Sequence, residues 1–238
     1  MSGIKLINVS KCYTVEKEQV NVLDGIDFDI PANHITIILG RSGCGKTTLL
    51  RLVAGLEATN KGTIQYDNVK RKAYVFQEDR LMPWLDVKKN ITFGLKKEEM
   101  YQAKINEIIE MVGLKKFENA YPNQLSGGMK QRVSIARAFA YQPDFIMMDE
   151  PFSALDFFTR EQMQKELLKI HQKTMCSILF VTHSIDEALM LGNKIVILKS
   201  GHVKSQYEIE EKNEERDLMD DKFVMLKKQI VQDLKIIE

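Results

Sequence analysis

Cysteine is scarce in this sequence, with Cys12, Cys44 and Cys176 the only three in 238 residues. They form an odd, unpatterned set, so they read as reduced thiols and exclude a disulfide frame or a cysteine zinc site. Long apolar runs are missing too. The longest, residues 35–39 and 145–148, are strand-length, whereas a membrane-spanning helix needs about 20 apolar residues. The N-terminus has no basic-then-apolar pattern, so the chain is expected to stay in the cytoplasm. Basic excess is absent: 34 Lys and Arg against 33 Asp and Glu leave a formal charge of +1. Nucleic-acid binders carry a basic stripe, so no nucleic-acid partner is expected. Internal repeats and low-complexity segments are also missing. What remains is a chain of a size for one large domain, or a core with a subdomain.

The first thirty residues read as β. Ile4, Leu6 and Val9 precede a charged turn, after which Ile26, Phe28 and Ile30 alternate with Asp27 and Asp29. That pattern suits an antiparallel sheet with one wet face. Residues 31–34 make a turn, and residues 35–39 form a continuous apolar strand of the kind covered on both faces. A helix is expected from near Gly45 to Gly55, a glycine placed to end it. Strands follow at 63–66 and 73–76, and the short stretch between Gly55 and Tyr74 suggests a clipped hairpin. From 83 to 140 the pattern is helical. In residues 98–112, Ile105, Ile108, Ile109 and Val112 share one face and Gly113 ends the helix. This reads as a helical insertion.

Alternation of strand and helix then resumes, with strands at 144–148, 177–182 and 194–198 and helices at 159–170 and 184–191. The last helix opens with a capping-box pair, Ser184 and Glu187. The fold class is therefore α/β, with a mostly parallel sheet, an N-terminal antiparallel β subdomain and an α-helical subdomain at about 83–140. Residues 1–205 hold the principal domain and 206–238 a charged tail. In that tail Phe223, Leu226, Ile230, Leu234 and Ile237 fall on one helical face, expected to dock on the same chain.

The chemistry concentrates in GRSGCGKTT, which is Gly40, Arg41, Ser42, Gly43, Cys44, Gly45, Lys46, Thr47 and Thr48. It fits G-x-x-x-x-G-K-[ST] directly after a buried strand. Glycines let successive N–H groups turn inward, and a helix N-terminus adds its dipole to hold phosphate. Lys46 is expected to reach the β- and γ-phosphates of ATP, Thr47 to bind Mg²⁺, and Thr48 to touch the α-phosphate. Cys44, beside Lys46 and a helix N-terminus, is either a reactive thiolate that nucleotide protects or a contributor of its backbone N–H alone.

A second buried strand ends in Asp149 and Glu150. Asp149 is placed to hold Mg²⁺ through water, and Glu150 to orient or deprotonate an attacking water. His183 follows another strand, at the same sheet edge, and Gln77 ends a third. LSGGMKQ, residues 125–131, offers a second helix N-terminus with Ser126 as N-cap and two glycines, Gly127 and Gly128. Two phosphate grips in one chain suggest that the second serves another subunit's nucleotide.

With these motifs in this order, residues 5–205 resemble the ATP-binding subunit of an ABC transporter. GRSGCGKTT resembles the Walker A loop, FIMMDE the Walker B strand and LSGGMKQ the family signature. Gln77 matches the Q-loop, Ser153, Ala154, Leu155 and Asp156 the D-loop, and His183 the switch histidine. The resemblance implies a P-loop NTPase core, catalytic roles for Lys46, Gln77, Glu150 and His183, and Mg²⁺ at Thr47, Gln77 and Asp149. It also places Asp156 at the nucleotide and Tyr13 against the adenine. A head-to-tail dimer, of this chain or with a homologous subunit, would bring Ser126 and Gly128 onto the γ-phosphate held by the other chain's Lys46. Transmembrane permease subunits and, indirectly, a solute-binding protein are the implied partners, at the cytoplasmic face of the membrane. FQEDRLMPWL, residues 76–85, is similar to importers of nitrate, sulfonates and taurine. Trp84 is either a docking residue for the membrane subunit or a core aromatic. An exporter ATPase or a soluble ABC-type ATPase is the alternative reading.

Overall fold

The computed structural model describes residues 3–95 and 102–235, which fall into two compact units, Met1–Val69 with Met175–Glu238 and Lys70–Thr174. In the first unit, the alternating Ile4, Leu6 and Val9 bury one face of β1 (Gly3–Val15), and Ile26, Phe28 and Ile30 do the same on β2 (Glu18–Pro31). The two strands pair antiparallel through a turn at Glu16 and Lys17. Both turn residues have positive φ, 49° and 74°, the conformation whose twist matches that of the flanking strands. β4 (Lys61–Tyr66) pairs with the other edge of β1.

The second sheet of this unit is built on β3 (Ile35–Leu39), every residue of which is buried. β3 lies parallel between β7 (Ser177–Thr182) and β8 (Lys194–Lys199). β9 (His202–Glu208) closes the edge, antiparallel to β8. This last strand has no apolar signature in the sequence, because its residues alternate only between exposed and half-buried. The signal that marks it is the Ser200–Gly201 turn, with φ values of 47° and 78°.

Three helices accompany these strands. α1 (Lys46–Ala54) buries Leu49, Leu50, Leu52 and Val53 and ends, as expected, on Gly55 at φ 76°. α6 (Ile185–Leu191) starts at Ser184, whose hydroxyl accepts the Glu187 N–H at 3.3 Å. The expected capping box is not closed, because the Glu187 carboxylate instead accepts the Thr182 hydroxyl at 2.5 Å. α7 (Asp221–Leu234) buries Phe223 and Ile230 and packs on α6 and β8. It is thus a docking helix on its own chain; Ile237 lies outside the described residues.

In the second unit, β5 (Lys72–Val75) pairs parallel with β6 (Phe145–Asp149). The clipped hairpin expected between Gly55 and Tyr74 is not formed. The Asp144 carboxylate accepts the N–H groups of Lys70 and Arg71 at 3.0 and 2.8 Å, which pins the start of β5 to β6 in place of a turn. The helices are α2 (Val87–Thr92), α3 (Gln102–Met111), α4 (Gly127–Ala140) and α5 (Phe157–Thr174). Asn90 is fully buried on α2, donates to the carbonyls of Met82, Leu85 and Asp86, and accepts the Met82 N–H. One side chain thereby satisfies the loop that carries Trp84. α3 buries Ile105, Ile108 and Ile109 as expected; the expected start at Glu98 lies outside the described residues.

Candidate nucleotide-binding site

The phosphate loop leaves β3 at Gly40, where backbone crowding leaves no room for a side chain. A Cβ there would lie 2.4 Å from the Leu198 carbonyl oxygen and 2.6 Å from the Cys44 sulfur. Gly43 and Gly45 hold φ at 80° and 102°, the left-handed region that glycine adopts without strain. The Cys44 N–H donates to the Arg41 carbonyl at 3.3 Å and closes the turn. Lys46, buried at the first position of α1, donates through Nζ to the carbonyls of Gly40 and Arg41 at 2.9 and 3.0 Å. α1 begins with no side-chain cap and no acid in its first turn, so its positive end remains available to an anion. Arg41, Ser42 and Gly43 are exposed, while Thr47 and Thr48 are half-buried at the helix start.

Cys44 does not have the low-pKa environment that its neighbours suggest. Burial pushes its thiol above the ordinary value, and the opposing charge of Lys46 is the lesser effect. Backbone hydrogen bonds to the sulfur within the loop also oppose the rise without reversing it.

Tyr13, near the end of β1, is half-buried. Its hydroxyl donates to Glu57, and the Lys11 ammonium stands 5.0 Å from its ring centre. Burial raises its pKa, the Glu57 bond adds to the rise, and a bond to Thr48 opposes it. The ring is therefore tied to the first turn of α1. His183, exposed, directly follows Thr182. Because Thr182 pairs with Leu39 in the parallel register, His183 and Gly40 emerge at the same sheet edge.

A second set of residues assembles within the other unit. Val75 pairs with Met148, so the chain after β5, with Gln77, and the chain after β6, with Glu150, leave their sheet together. Asp149 is buried, with the Tyr74 hydroxyl 3.5 Å from its carboxylate. Glu150 has φ 43°, a left-handed conformation costly for a residue with a Cβ. Its carbonyl accepts the N–H and hydroxyl of Ser153 at 3.1 and 2.9 Å, which holds that turn. Gln77 is exposed.

Ser126 caps α4 by accepting the Met129 N–H at 3.3 Å. Gly127 has open space where a Cβ would be, and a Cβ on Gly128 would lie 3.1 Å from Leu155. Asp156 serves α5, accepting the Thr159 N–H at 3.0 Å; a bond from the Thr159 side chain, and after it this N–H, holds its carboxyl below the ordinary range. That is a helix-capping function; no nucleotide contact follows from it.

Two residues of α4 support this part of the site through contacts that the sequence alone does not mark. Gln131, buried, donates its amide to the Phe76 carbonyl at 3.2 Å, next to Gln77. Arg137 donates to the carbonyls of Asp79 and Arg80 at 3.2 and 3.1 Å. Gln131 is the last residue of LSGGMKQ, while Arg137 stands further along α4, marked only as a polar residue on a buried helical face.

Among the described residues no group of three or more His, Cys, Asp or Glu could hold a metal ion. The candidate donors are a hydroxyl, an amide oxygen and a carboxylate, from Thr47, Gln77 and Asp149. Such hard oxygen donors fit Mg²⁺, which keeps several waters and binds through few carboxylates plus substrate phosphates.

A buried strand, a glycine loop closed by its own lysine and an uncapped helix together define a nucleoside-triphosphate-binding protein of the P-loop class. Comparison with known proteins narrows the class. The family model described as ABC transporter matches residues 23–153. An uncharacterized ABC transporter ATP-binding protein of Methanocaldococcus jannaschii is 43% identical over 98% of this chain and 91% of the relative. The aliphatic sulfonates import ATP-binding protein SsuB of Bacillus subtilis (strain 168) is 42% identical over 80% of this chain and 77% of its own. The taurine import ATP-binding protein TauB of Rhizobium johnstonii is 44% identical, covering 80% and 78%. Among solved structures, a dimeric ATP-binding cassette in a post-hydrolysis state, bound to ADP and phosphate, superposes with a TM-score of 0.80. It is 31% identical and covers 88% of this chain and all of that one. The chain belongs to the ABC transporter family, as an ATP-binding subunit.

Proposed function

We propose that this chain hydrolyses MgATP to energise a membrane importer for a small solute of the sulfonate, taurine or nitrate kind. The observation that carries the reading is the phosphate loop, with Lys46 embedded in it and α1 presenting an uncapped N-terminus. Lys46 binds the β- and γ-phosphates, the N–H groups of residues 40–48 cradle them, and Tyr13 stacks on the adenine. Glu150 accepts a proton from water as the water oxygen attacks the γ-phosphorus and the bond to the β-phosphate oxygen breaks. His183 steadies the γ-phosphoryl group, and Gln77 orients the water. A positioned base of this kind is worth roughly 10²- to 10⁴-fold in rate, and electrostatic positioning supplies most of the rest. Thr47, Gln77 and Asp149 would hold Mg²⁺, which would supply positive charge to offset that of the triphosphate.

Ser126, Gly127 and Gly128 complete the nucleotide site of a second ATPase chain in a head-to-tail dimer, identical or homologous. The exposure of Trp84, at 69%, favours its docking role over the core reading. With no described helix long and apolar enough to cross a membrane, attachment at the cytoplasmic face runs through permease subunits. The relatives named for sulfonate and taurine import support the solute class. Reconstitution with the copurifying permease and solute-binding protein tests it. Turnover stimulated by a sulfonate, taurine or nitrate supports the assignment, and export from loaded vesicles contradicts it.

A further inference from the structure

α6 is only seven residues long, too short to be stable without tertiary support. Both of its ends are held by the segment that follows the last strand. At its carboxyl end the buried Arg216 guanidinium donates to the carbonyls of Leu189 and Gly192 at 2.8 and 2.7 Å. Asn213 donates its amide to the carbonyls of Leu191 and Met190 at 2.6 and 3.2 Å. Carbonyls in the last turn are those a helix leaves without internal partners. Arg216 is itself fixed by the Glu211 carbonyl, 2.8 Å from Nη2, and burial pulls its pKa down to about 10. At the amino end, Lys227 of α7 donates to the Asp186 carboxylate at 2.5 Å. Between these anchors, Thr182 donates its hydroxyl to Glu187 and accepts the Ser184 N–H at 3.0 Å. The peptide of His183 is bracketed by that pair of bonds.

We propose that Asn213, Arg216 and Lys227 form a tail clamp that sets the position of α6 and are thereby positioning residues for His183. The inference rests on the catalytic reading of His183. The clamp works through geometry alone: the tail fixes both ends of α6, α6 fixes Glu187, and Glu187 with Thr182 fixes the turn that carries the imidazole. The position of the histidine then depends on a segment outside the motifs that hold nucleotide.

The test uses the full chain carrying Asn213→Ala with Lys227→Ala, which leaves the buried Arg216 in place. The sequence has four histidines, so imidazole resonances report on each. The clamp predicts that the His183 resonance shifts or broadens while those of His34, His171 and His202 hold. It also predicts that kcat falls severalfold at an unchanged KM for ATP, and that Lys227→Arg alone retains wild-type values. In a His183→Ala background the double substitution has no further effect on kcat. An unmoved His183 resonance, or a further loss of kcat in that background, overturns the clamp. If His183→Ala alone leaves turnover intact, the catalytic reading of His183 fails, and the resonance still decides whether the tail positions it.

Discussion

Leu39 and Thr182 are paired as the last residues of two adjacent parallel strands, so the phosphate loop and His183 leave the sheet at one edge. Ligands of parallel α/β sheets bind outside the carboxyl ends of the strands, and both features stand there. His183→Ala is accordingly predicted to lower turnover by about tenfold or more while nucleotide affinity holds. Titration with a fluorescent ATP analogue beside a steady-state assay separates the two. Weaker binding with proportionate loss of turnover contradicts the assignment.

Gly40→Ala is predicted to lose nucleotide binding. The added methyl would meet the Leu198 carbonyl oxygen at 2.4 Å, and because that atom is backbone, the loop rather than a flexible side chain must move. A thermal melt with and without MgATP checks this: the wild type gains stability from ligand, and the variant shows no such gain. A normal ligand-induced rise in Tm would show that the loop tolerates the change.

Labelling with iodoacetamide near neutral pH, followed by mass spectrometry, is predicted to modify Cys12 before Cys44 and Cys176. Cys12 is half-exposed and the other two are buried, and burial raises the Cys44 thiol so that little thiolate is present. Rapid, nucleotide-sensitive alkylation of Cys44 contradicts this.

Asp233 gives a prediction in pH. Hydroxyl donors from Ser205 and Tyr207, the latter at 2.7 Å, hold its carboxyl below the ordinary aspartate value. A depressed carboxylate contributes stability above its unfolded pKa, roughly 3.9, and loses it as pH falls through the lower folded value. Asp233→Asn is therefore predicted to lower Tm at neutral pH, with the difference closing at a pH below about 4. A difference that persists unchanged into acid would show that the carboxylate charge is not the cause.

Local pattern made much of this architecture legible. Unbroken apolar runs gave β3, β6 and β7, and alternation gave β1 and β2, because burial on one or two faces writes itself directly into residue order. Gly55 ended α1 where it was expected to. Pairings set by distant polar residues were not legible. Nothing local shows that Asp144 captures the start of β5, or that Thr182 takes Glu187 away from a capping box. The same holds for the site. Lys46 and Gln131 both stood in motifs, whereas the bonds of Gln131 and Arg137 to backbone carbonyls depend on segments brought near by the fold. The thiol of Cys44 shows the opposite case: two favourable neighbours were legible and the outweighing burial was not.

In the proposed reaction the carboxylate of Glu150 serves the attacking water. Glu150→Gln keeps the size of the side chain and removes its basicity, and the turn held by Ser153 is built on the Glu150 backbone carbonyl, which the substitution spares. Single-turnover hydrolysis of radiolabelled ATP, beside a binding titration of the same preparation, is the direct measurement. Nucleotide affinity is predicted to stay close to wild type while the hydrolysis rate falls by roughly 10²-fold or more. Hydrolysis at the wild-type rate in Glu150→Gln would contradict it.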